Sequence, residues 1–412
     1  MAHNGTPASI DAEIGPPSPA SAVAAARTGD AVPAGARLLG VDLARGLAVL
    51  GMYAAHVGPD PREGGVLGFV MELTHGRSSA LFAFLAGFSI LLITGRRVPK
   101  VGRAGRQARV RILIRAGILL VIGTALTATG TKVEVILAYY GMYFLLALPF
   151  ARLRAGALAV IAAVSAVVLP QIVFLVLTDL GWADAVNRFD PLAWLGSRGD
   201  PAGSSDGVIG LLVTGNYPAL SWMPFVFAGM AVARLDLTAT VIRVRLAAAG
   251  VGLAVLGYGG SALALHFASG MRERPGIMYA PWWSDMADDP SGWRYQLGAM
   301  PHSETTLSII ANTGVALTVL VACLAACDGP LRRSRVTTPL LAVGSMSLTA
   351  YVFHVVAIAV LGFDVLPAGS LPVLLGLSAI IMMFAYCWSR FFRRGPLEWL
   401  LHRATTVADR VR

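Results

Sequence analysis

Three ionisable residues share one apolar helix near the start of the chain. The stretch VDLARGLAVLGMYAAHV, residues 41–57, carries Asp42, Arg45 and His56 among apolar neighbours. At about 100° per residue, Arg45 and His56 differ by about 20° around the helix and by about 16 Å along it. Asp42 and Arg45 are three residues apart and can form an ion pair. Because ionisable groups are costly inside hydrocarbon, this polar stripe indicates a functional site.

The order of these residues suits the transfer of an acyl group across a membrane. An arginine can hold the phosphates of a donor such as acyl-CoA, or it can order Asp42. A neutral histidine is the usual base near pH 7 for taking a proton from an acceptor hydroxyl or amine. We therefore expect Asp42 and Arg45 at the donor end and His56 at the acceptor end. The alternative is a stabilising Asp–Arg pair with an interfacial histidine.

Further candidates lie near the second and third predicted helices. His75 precedes the second helix, and we predict that it is a second acid or base or a substrate contact, although a solvated loop residue is the alternative. The basic segment GRRVPKVGRAGRQARVR, residues 95–111, faces anionic lipid and is also a predicted receiver of the donor phosphates. The predicted donor-binding residues are Arg45, Arg77, Arg111 and Arg115.

The remaining histidines carry less weight. His354 lies inside the ninth predicted span, where a hydrogen bond to Tyr351 or Ser347 competes with a functional role. Three further histidines lie at span ends or in loops, where histidine is common without a special function. These are His266, His302 and His402.

The composition is that of a polytopic membrane protein. Of the 412 residues, 56% are hydrophobic and only 14% are charged, whereas soluble domains carry roughly a quarter charged residues. The net charge is +10, but the arginines flank apolar spans, so membrane topology explains them and no nucleic-acid partner is expected. The three cysteines form no disulfide or metal-binding pattern, and no metal is expected.

The apolar runs predict an all-α bundle of about ten transmembrane helices in the cell membrane. The predicted spans are 38–57, 78–95, 113–131, 133–151, 155–178, 207–233, 246–267, 304–327, 338–362 and 370–389. With both termini cytoplasmic, the inner segments hold 23 Lys and Arg and the outer segments hold 8, as the positive-inside rule requires. The span at 207–233 contains Gly215, Pro218 and Pro224, so a break is expected there.

Three regions follow from this pattern. Residues 1–36 are rich in Ala, Pro, Gly and Ser and are predicted to be a disordered cytoplasmic tail. Residues 37–392 form the predicted transmembrane domain, and 393–412 a cytoplasmic C-terminal segment. Two long outer loops, 179–206 and 268–303, are rich in Trp, Asp, Pro and Gly, which suits sugar-like ligands or an interfacial aromatic belt.

The first helix resembles that of the transmembrane acyltransferase superfamily. Arg45, ten intervening residues and His56 match the Arg-x10-His motif of the family-3 membrane acyltransferases, which implies that His56 is catalytic. The segment DLARGLAVLGM also resembles the opening of heparan-α-glucosaminide N-acetyltransferase-like and YeiB-like proteins. In the eukaryotic members of that group an Asn stands at the position of His56 and the catalytic histidine comes a little later, in the region of His75.

Later segments extend the resemblance over most of residues 37–405. GRSSALFAFLAGFSILL, YPALSWMPFVFAGMAVARL, VGSMSLTAYVFHVVAI and RRGPLEWLLHRAT are similar to helices and to the C-terminal signature of YeiB-like proteins. The resemblance implies an acyl-CoA co-substrate, most simply acetyl-CoA, and an extracytoplasmic glycan or lipid acceptor.

Two other functions compete with acyl transfer. Ten spans with a broken helix also fit a transporter or lipid flippase, although no internal repeat is visible. A lipid-linked glycosyltransferase would use Asp60 and Glu63 in the first outer loop, but such enzymes usually add a larger outer domain.

Overall fold

The regular structure of the chain is helical wherever it is described. A computed structural model describes residues 38–131, 133–175, 207–268, 293–329, 334–365 and 369–411, with Met1 and Leu331. Its helices are α1 (Leu39–Val57), α2 (Gly65–Glu72), α3 (Arg77–Thr94), α4 (Gly102–Thr127), α5 (Leu137–Ala147), α6 (Ala155–Phe174), α7 (Ala219–Ala233), α8 (Thr240–Phe267), α9 (Thr306–Asp328), α10 (Thr337–Ser345), α11 (Ser347–Val365), α12 (Leu371–Phe391) and α13 (Pro396–Thr405). Helices are expected because hydrocarbon offers no partner for free peptide groups.

The chain is a multi-pass membrane protein. Six described helical stretches are long and apolar enough to cross a membrane: Gly65–Thr94, Gly102–Thr127, Ala155–Phe174, Thr240–Phe267, Thr306–Asp328 and Leu371–Phe391. The bent pair α10 and α11 makes a seventh if it counts as one crossing. Each of the ten predicted spans contains a helix, but α1, α5 and α7 are not among the six. The count of ten and the cytoplasmic termini therefore stay predictions.

Helix α1 is the centre of the bundle. It packs against α3, α9, α10, α11 and α12. The approach of α1 to α10 is close enough to require glycine, since a Cβ at Gly46 would lie 2.4 Å from the Leu340 carbonyl oxygen. A Cβ at Gly344 would lie 1.7 Å from the Asp42 carbonyl oxygen. Protein, rather than lipid, therefore surrounds the polar stripe of α1.

The ninth predicted span, 338–362, is two helices rather than one. Helices α10 and α11 meet at Met346, whose φ of −128° and ψ of 42° are not helical, and their axes differ by 87°. The Glu398 carboxylate from α13 accepts hydrogen bonds from the backbone N–H groups of Leu348 (2.8 Å) and Thr349 (3.1 Å). A carboxylate at this position satisfies free N–H groups and complements the helix dipole, which stabilises the new helix start.

The predicted boundaries fare differently. The break in the 207–233 span falls at 215–218, between a π-helical turn over Gly210–Thr214 and α7. The C-terminal segment packs through α13 on α4 and α11, so Leu39–Arg412 forms one compact unit. Residues 2–36 of the predicted tail and the loop 179–206 lie outside the described residues, as does most of 268–303.

Candidate active site

Two histidines from distant parts of the chain meet at one end of the bundle. His56 Nδ1 on α1 lies 3.0 Å from His354 Nε2 on α11, and the two rings stack with their centroids 5.2 Å apart. His354 is 1% exposed, whereas His56 is half-buried and reaches a cavity. The structure therefore joins the predicted base to a second imidazole that no solvent reaches.

Two tyrosines fix the buried imidazole in place. The ring of His354 lies 4.5 Å from that of Tyr53 and 5.0 Å from that of Tyr351, centroid to centroid. The Tyr53 hydroxyl donates to the Ala350 carbonyl oxygen (2.7 Å), and the Tyr351 hydroxyl accepts from the Ile136 backbone N–H (3.1 Å). Because both phenols are anchored by backbone groups, the His354 ring has little freedom to turn.

The proton between the two rings decides what His56 can do. When His56 carries its proton on Nδ1, it donates to His354 Nε2, and His56 Nε2 presents a free lone pair, as a base requires. When His354 donates instead, His56 Nε2 carries a proton and can act as an acid. The His354 Nδ1 atom is buried and makes no hydrogen bond of ordinary geometry.

His56 opens into a polar cavity of about 620 Å³, here called the histidine cavity. This volume is in the range of small-molecule sites. Its walls come from α1, α3, α6 and α7, from the turns before α3 and α5, and from the segments 215–217 and 295–304. The lining residues are Ala55, His56, His75, Ser79, Glu134, Pro170, Val173, Phe174, Gly215, Asn216, Tyr217, Ser221, Tyr295, Gln296, His302, Ser303 and Glu304.

A strained loop before α9 brings a carboxylate into this cavity. His302 and Glu304 have φ angles of 58° and 56°, in the left-handed region that non-glycine residues rarely occupy. The Glu304 carboxylate accepts hydrogen bonds from Ser221 Oγ (2.6 Å) and Trp222 Nε1 (2.8 Å) on α7. These hydrogen bonds stabilise an otherwise unfavourable backbone conformation and hold the Glu304 carboxylate at the cavity wall.

Glu304 is expected to make stability fall as the pH rises. Desolvation raises the pKa of its carboxyl group from 4.5 to about 8, against the opposing hydrogen bonds from Ser221 and Trp222. Between these two values the Glu304 carboxyl group holds a proton in the folded state that it lacks in the unfolded state. Its contribution to the free energy of unfolding is therefore most favourable below pH 4.5 and decreases up to about pH 8. The melting temperature of the purified protein, measured from pH 5 to 9, should fall and then level off above pH 8.

The Glu304→Gln variant is the control, because its amide cannot ionise. Its melting temperature should change less between pH 5 and 8 than that of the wild type. Equal slopes in the two proteins would mean that Glu304 does not keep its proton in the folded state.

A buried ion pair shapes the turn that carries His75. Arg77, 5% exposed, donates to the Glu72 carboxylate (3.1 Å), to the His75 carbonyl oxygen (3.3 Å) and to the Tyr258 hydroxyl (2.9 Å). The His75 ring lies 6.3 Å from the His302 ring, in an edge-on arrangement across the histidine cavity. Arg77 thus lies at the His56 end of the bundle, apart from Arg45.

The other end of α1 borders a second chamber of about 260 Å³, here called the arginine chamber. Arg45 donates to the Asp42 carboxylate (3.2 Å) and to Ser89 Oγ (2.7 Å) on α3. Arg115 of α4 lines the same chamber, and its buried Nε has no hydrogen-bond partner. Glu398, the residue that caps α11, lines it as well. The arginine chamber therefore brings together the guanidinium groups of Arg45 and Arg115 and the carboxylate of Glu398.

Packed aromatic rings separate the two cavities. Phe82 stacks on Tyr140 with centroids 4.6 Å apart and lies 6.1 Å from Tyr351. The Tyr140 hydroxyl donates to the Phe82 carbonyl oxygen. Phe82 and Tyr140 line the arginine chamber, and Ser79, three residues earlier on α3, lines the histidine cavity. One layer of side chains thus divides the polar stripe of α1.

Other sequence candidates fall outside this arrangement. Arg111 pairs with Asp409 at the C-terminal segment, one helical turn before Arg115. His266 ends α8 and His402 lies in α13. Neither of these two histidines lines the histidine cavity or the arginine chamber.

Sequence reasoning missed Glu304 and Glu398 and gave His302 little weight. The sequence does contain a signal for Glu304 and His302, because both lie in PHSETT, a polar run directly before an apolar span. Among the described residues, no group of three or more His, Cys, Asp or Glu side chains converges as metal ligands would.

Two protein-family models match the chain. Residues 37–267, more than half of the chain, match the family model described as heparan-alpha-glucosaminide N-acetyltransferase, catalytic. Residues 290–408 match a second model, described as a protein of unknown function (DUF418). No curated protein matches closely enough to serve as a relative. The two matches lie in chain order and together include α1 through α13, and on this basis the chain belongs to the heparan-alpha-glucosaminide N-acetyltransferase-like and YeiB-like superfamily of membrane acyltransferases.

Proposed function

We propose that this protein transfers an acyl group, most simply acetyl, from cytoplasmic acyl-CoA to a hydroxyl or amine of an extracytoplasmic glycan or lipid. The observation that carries the proposal is the pairing of His56 with His354 at the wall of a polar cavity. A half-buried imidazole backed by a second imidazole is suited to take and return one proton. Membership of a membrane acyltransferase family supports the same chemistry.

The arginine chamber is the proposed donor end. Arg45 and Arg115 would bind phosphate oxygens, and Arg111 would guide the donor from the surface, as charge-assisted hydrogen bonds favour. Asp42 orients Arg45 through their 3.2 Å contact. Arg77 lies at the other end of the bundle, so we assign it to positioning His75 rather than to donor binding.

The reaction consists of one acyl transfer. His56 Nε2 removes the proton of the acceptor hydroxyl or amine, whose oxygen or nitrogen attacks the thioester carbonyl carbon. The new bond forms as the carbon–sulfur bond breaks, and the CoA thiolate takes the proton back from His56. His354 Nε2 accepts a hydrogen bond from His56 Nδ1 and thereby stabilises the imidazolium between these steps. His75 is a proposed acceptor contact, because its ring lines the same cavity.

The thioester must pass the aromatic layer for this reaction to occur. Arg45 and His56 are about 16 Å apart along α1, and Phe82, Tyr140 and Tyr351 lie between the two cavities. Movement of these rings would let the acyl arm reach His56 while water stays excluded, and exclusion of water protects a thioester from hydrolysis.

Arg115→Gln is expected to raise KM for acetyl-CoA by about 10-fold or more. The Arg115 guanidinium, whose buried Nε has no hydrogen-bond partner among the described residues, would supply charge-assisted hydrogen bonds of about 1.5–3 kcal/mol each to the donor. The measurement is transfer of radiolabel from acetyl-CoA into membrane glycans and lipids by the protein in nanodiscs. Arg103→Gln is the matched control, since Arg103 lies on α4 and binds the Val411 carbonyl oxygen outside the chamber.

The same assay separates acyl transfer from transport. Label that moves from acetyl-CoA into an acceptor only when the wild-type protein is present supports the enzyme. Absence of labelled product with acetyl and longer acyl donors, from folded protein, would reject acyl transfer and favour a transporter or flippase.

A further inference from the structure

An apolar groove runs along one side of the bundle and carries no part of the proposed chemistry. It has a volume of about 500 Å³ and lies between α6, α7, α8 and α9. Its α6 wall consists mainly of small residues, among them Ala159, Ala163 and Ala166, and Pro224 and Ala228 begin its α7 wall. Thr313 is the one residue of its lining with a polar side chain. A water molecule would find few hydrogen-bond partners in such a groove, whereas a hydrocarbon chain can fill it.

The groove faces the bilayer. The two helices that flank it expose apolar side chains on their outer faces, including Val160 (61%) and Val164 (55%) on α6 and Val251 (52%) and Val255 (64%) on α8. A Cβ placed on Gly156 would meet nothing within 4 Å. Lipid chains therefore have direct access from the side.

The groove adjoins the histidine cavity on two helices. On α6 the groove lining ends at Val167, and Pro170, three residues on, lines the histidine cavity. On α7 Ser221 lines the histidine cavity and Pro224 lines the groove. A step of three helical residues is about 4.5 Å. One molecule with a polar head and an apolar chain can therefore occupy both spaces.

The length of the groove fits one alkyl chain. Ala155 and Val167 are about 18 Å apart along α6, a little over half of the roughly 30 Å hydrocarbon thickness of a bilayer. Where the groove meets the cavity, Gln171 Nε2 donates to Gln296 Oε1 (3.3 Å) and Thr306 Oγ1 (3.2 Å). These long and exposed contacts are weak, so they offer little resistance to a chain that passes from the bilayer.

We infer that the acceptor is a lipid-anchored molecule whose alkyl chain lies in this groove and whose hydroxyl or amine head lies in the histidine cavity. This inference rests on the proposed acyl transfer and names its acceptor class. Moving a chain from bilayer to groove exchanges one apolar surrounding for another, so little affinity is gained. The benefit is orientation, because a held chain keeps the head beside His56.

The test compares two acceptors with one head and different tails. Dodecyl β-D-glucoside and methyl β-D-glucoside are offered to the protein in nanodiscs with radiolabelled acetyl-CoA. Since the acetyl donor has no long chain, any dependence on chain length belongs to the acceptor. We expect dodecyl glucoside to be the better acceptor, with kcat/KM at least about 10-fold higher.

A bulky residue in the groove should remove that preference. Ala163→Phe fills the α6 wall, and Val160→Phe adds the same ring to the lipid-facing side of the same helix. Ala163→Phe should lower transfer to dodecyl glucoside toward the methyl glucoside rate, and Val160→Phe should not. Equal transfer to both glucosides in the wild type, or no effect of Ala163→Phe, would overturn the inference.

Photolabelling separates this inference from the proposed function. A dodecyl glucoside with a diazirine in its chain should label α6 and α7 in the wild type and not in Ala163→Phe. If this pattern appears but neither acetyl nor longer acyl donors give labelled product in the assay described above, acyl transfer is wrong and the groove is still a chain site. Equal labelling of α6 and α7 in the wild type and in Ala163→Phe would show that the groove does not bind the chain, whatever the transfer assay gives.

Discussion

Replacing His56 with alanine is expected to lower acyl transfer by about 10²- to 10⁴-fold while the bundle stays folded. The variant removes the only ring of the histidine pair that reaches the histidine cavity, since His354 is 1% exposed. His56 is half-buried, so its truncation leaves space at the cavity wall rather than a void in the core. The measurement is radiolabel transfer from acetyl-CoA, with monodispersity and melting temperature as checks of folding.

His266→Ala is the matched control, because His266 is exposed and lies at the end of α8. It should transfer at the wild-type rate. Added imidazole can enter the space left in His56→Ala and should restore part of its activity, as a missing base permits and a lost structural contact does not. Full transfer by a folded His56→Ala protein would remove His56 from the mechanism.

The polar stripe of α1 could be predicted from the sequence because a helix has a fixed period. Asp42, Arg45 and His56 fall on one face from spacing alone, and the Asp42–Arg45 ion pair predicted at that spacing is present (3.2 Å). The hydropathy of each run likewise located a helix in every predicted span. Local periodicity requires no knowledge of which helices are neighbours.

The partner of His56 could not be found in this way. His354 is 298 residues later in the chain, and only the packing of α11 against α1 brings the two rings together. The bend at Met346 was missed for a similar reason. No proline marks it, and the carboxylate that stabilises the start of α11 comes from Glu398, about 50 residues downstream.

Arg77 shows how a long-range contact changes the interpretation of a charge. From the sequence, a basic residue at the start of an apolar helix is a candidate for a phosphate. In the structure the intervening turn brings the Glu72 carboxylate back to the guanidinium, and both side chains are almost fully buried. The charge is then already balanced within the protein, and an anionic donor would have to compete with Glu72.

Arg77→Met is therefore expected to destabilise the protein by about 3–5 kcal/mol, because it leaves the Glu72 carboxylate buried without its cation. Thermal or denaturant unfolding in detergent measures the effect. Arg97→Met is the matched control. This substitution breaks the ion pair between Arg97, whose side chain is 57% exposed, and Asp236, whose side chain is 36% exposed. Such surface pairs contribute about 0–1 kcal/mol to stability.

A second substitution separates structure from donor binding. Glu72→Gln removes the stranded charge, so the double variant with Arg77→Met should recover much of the lost stability, although His75 and Tyr258 each lose a contact with Arg77. If Arg77 bound the donor instead, the single variant would keep its melting temperature and raise KM for acetyl-CoA. A large loss of stability that the double variant reverses, with KM for acetyl-CoA unchanged in the recovered protein, assigns Arg77 to the turn that positions His75.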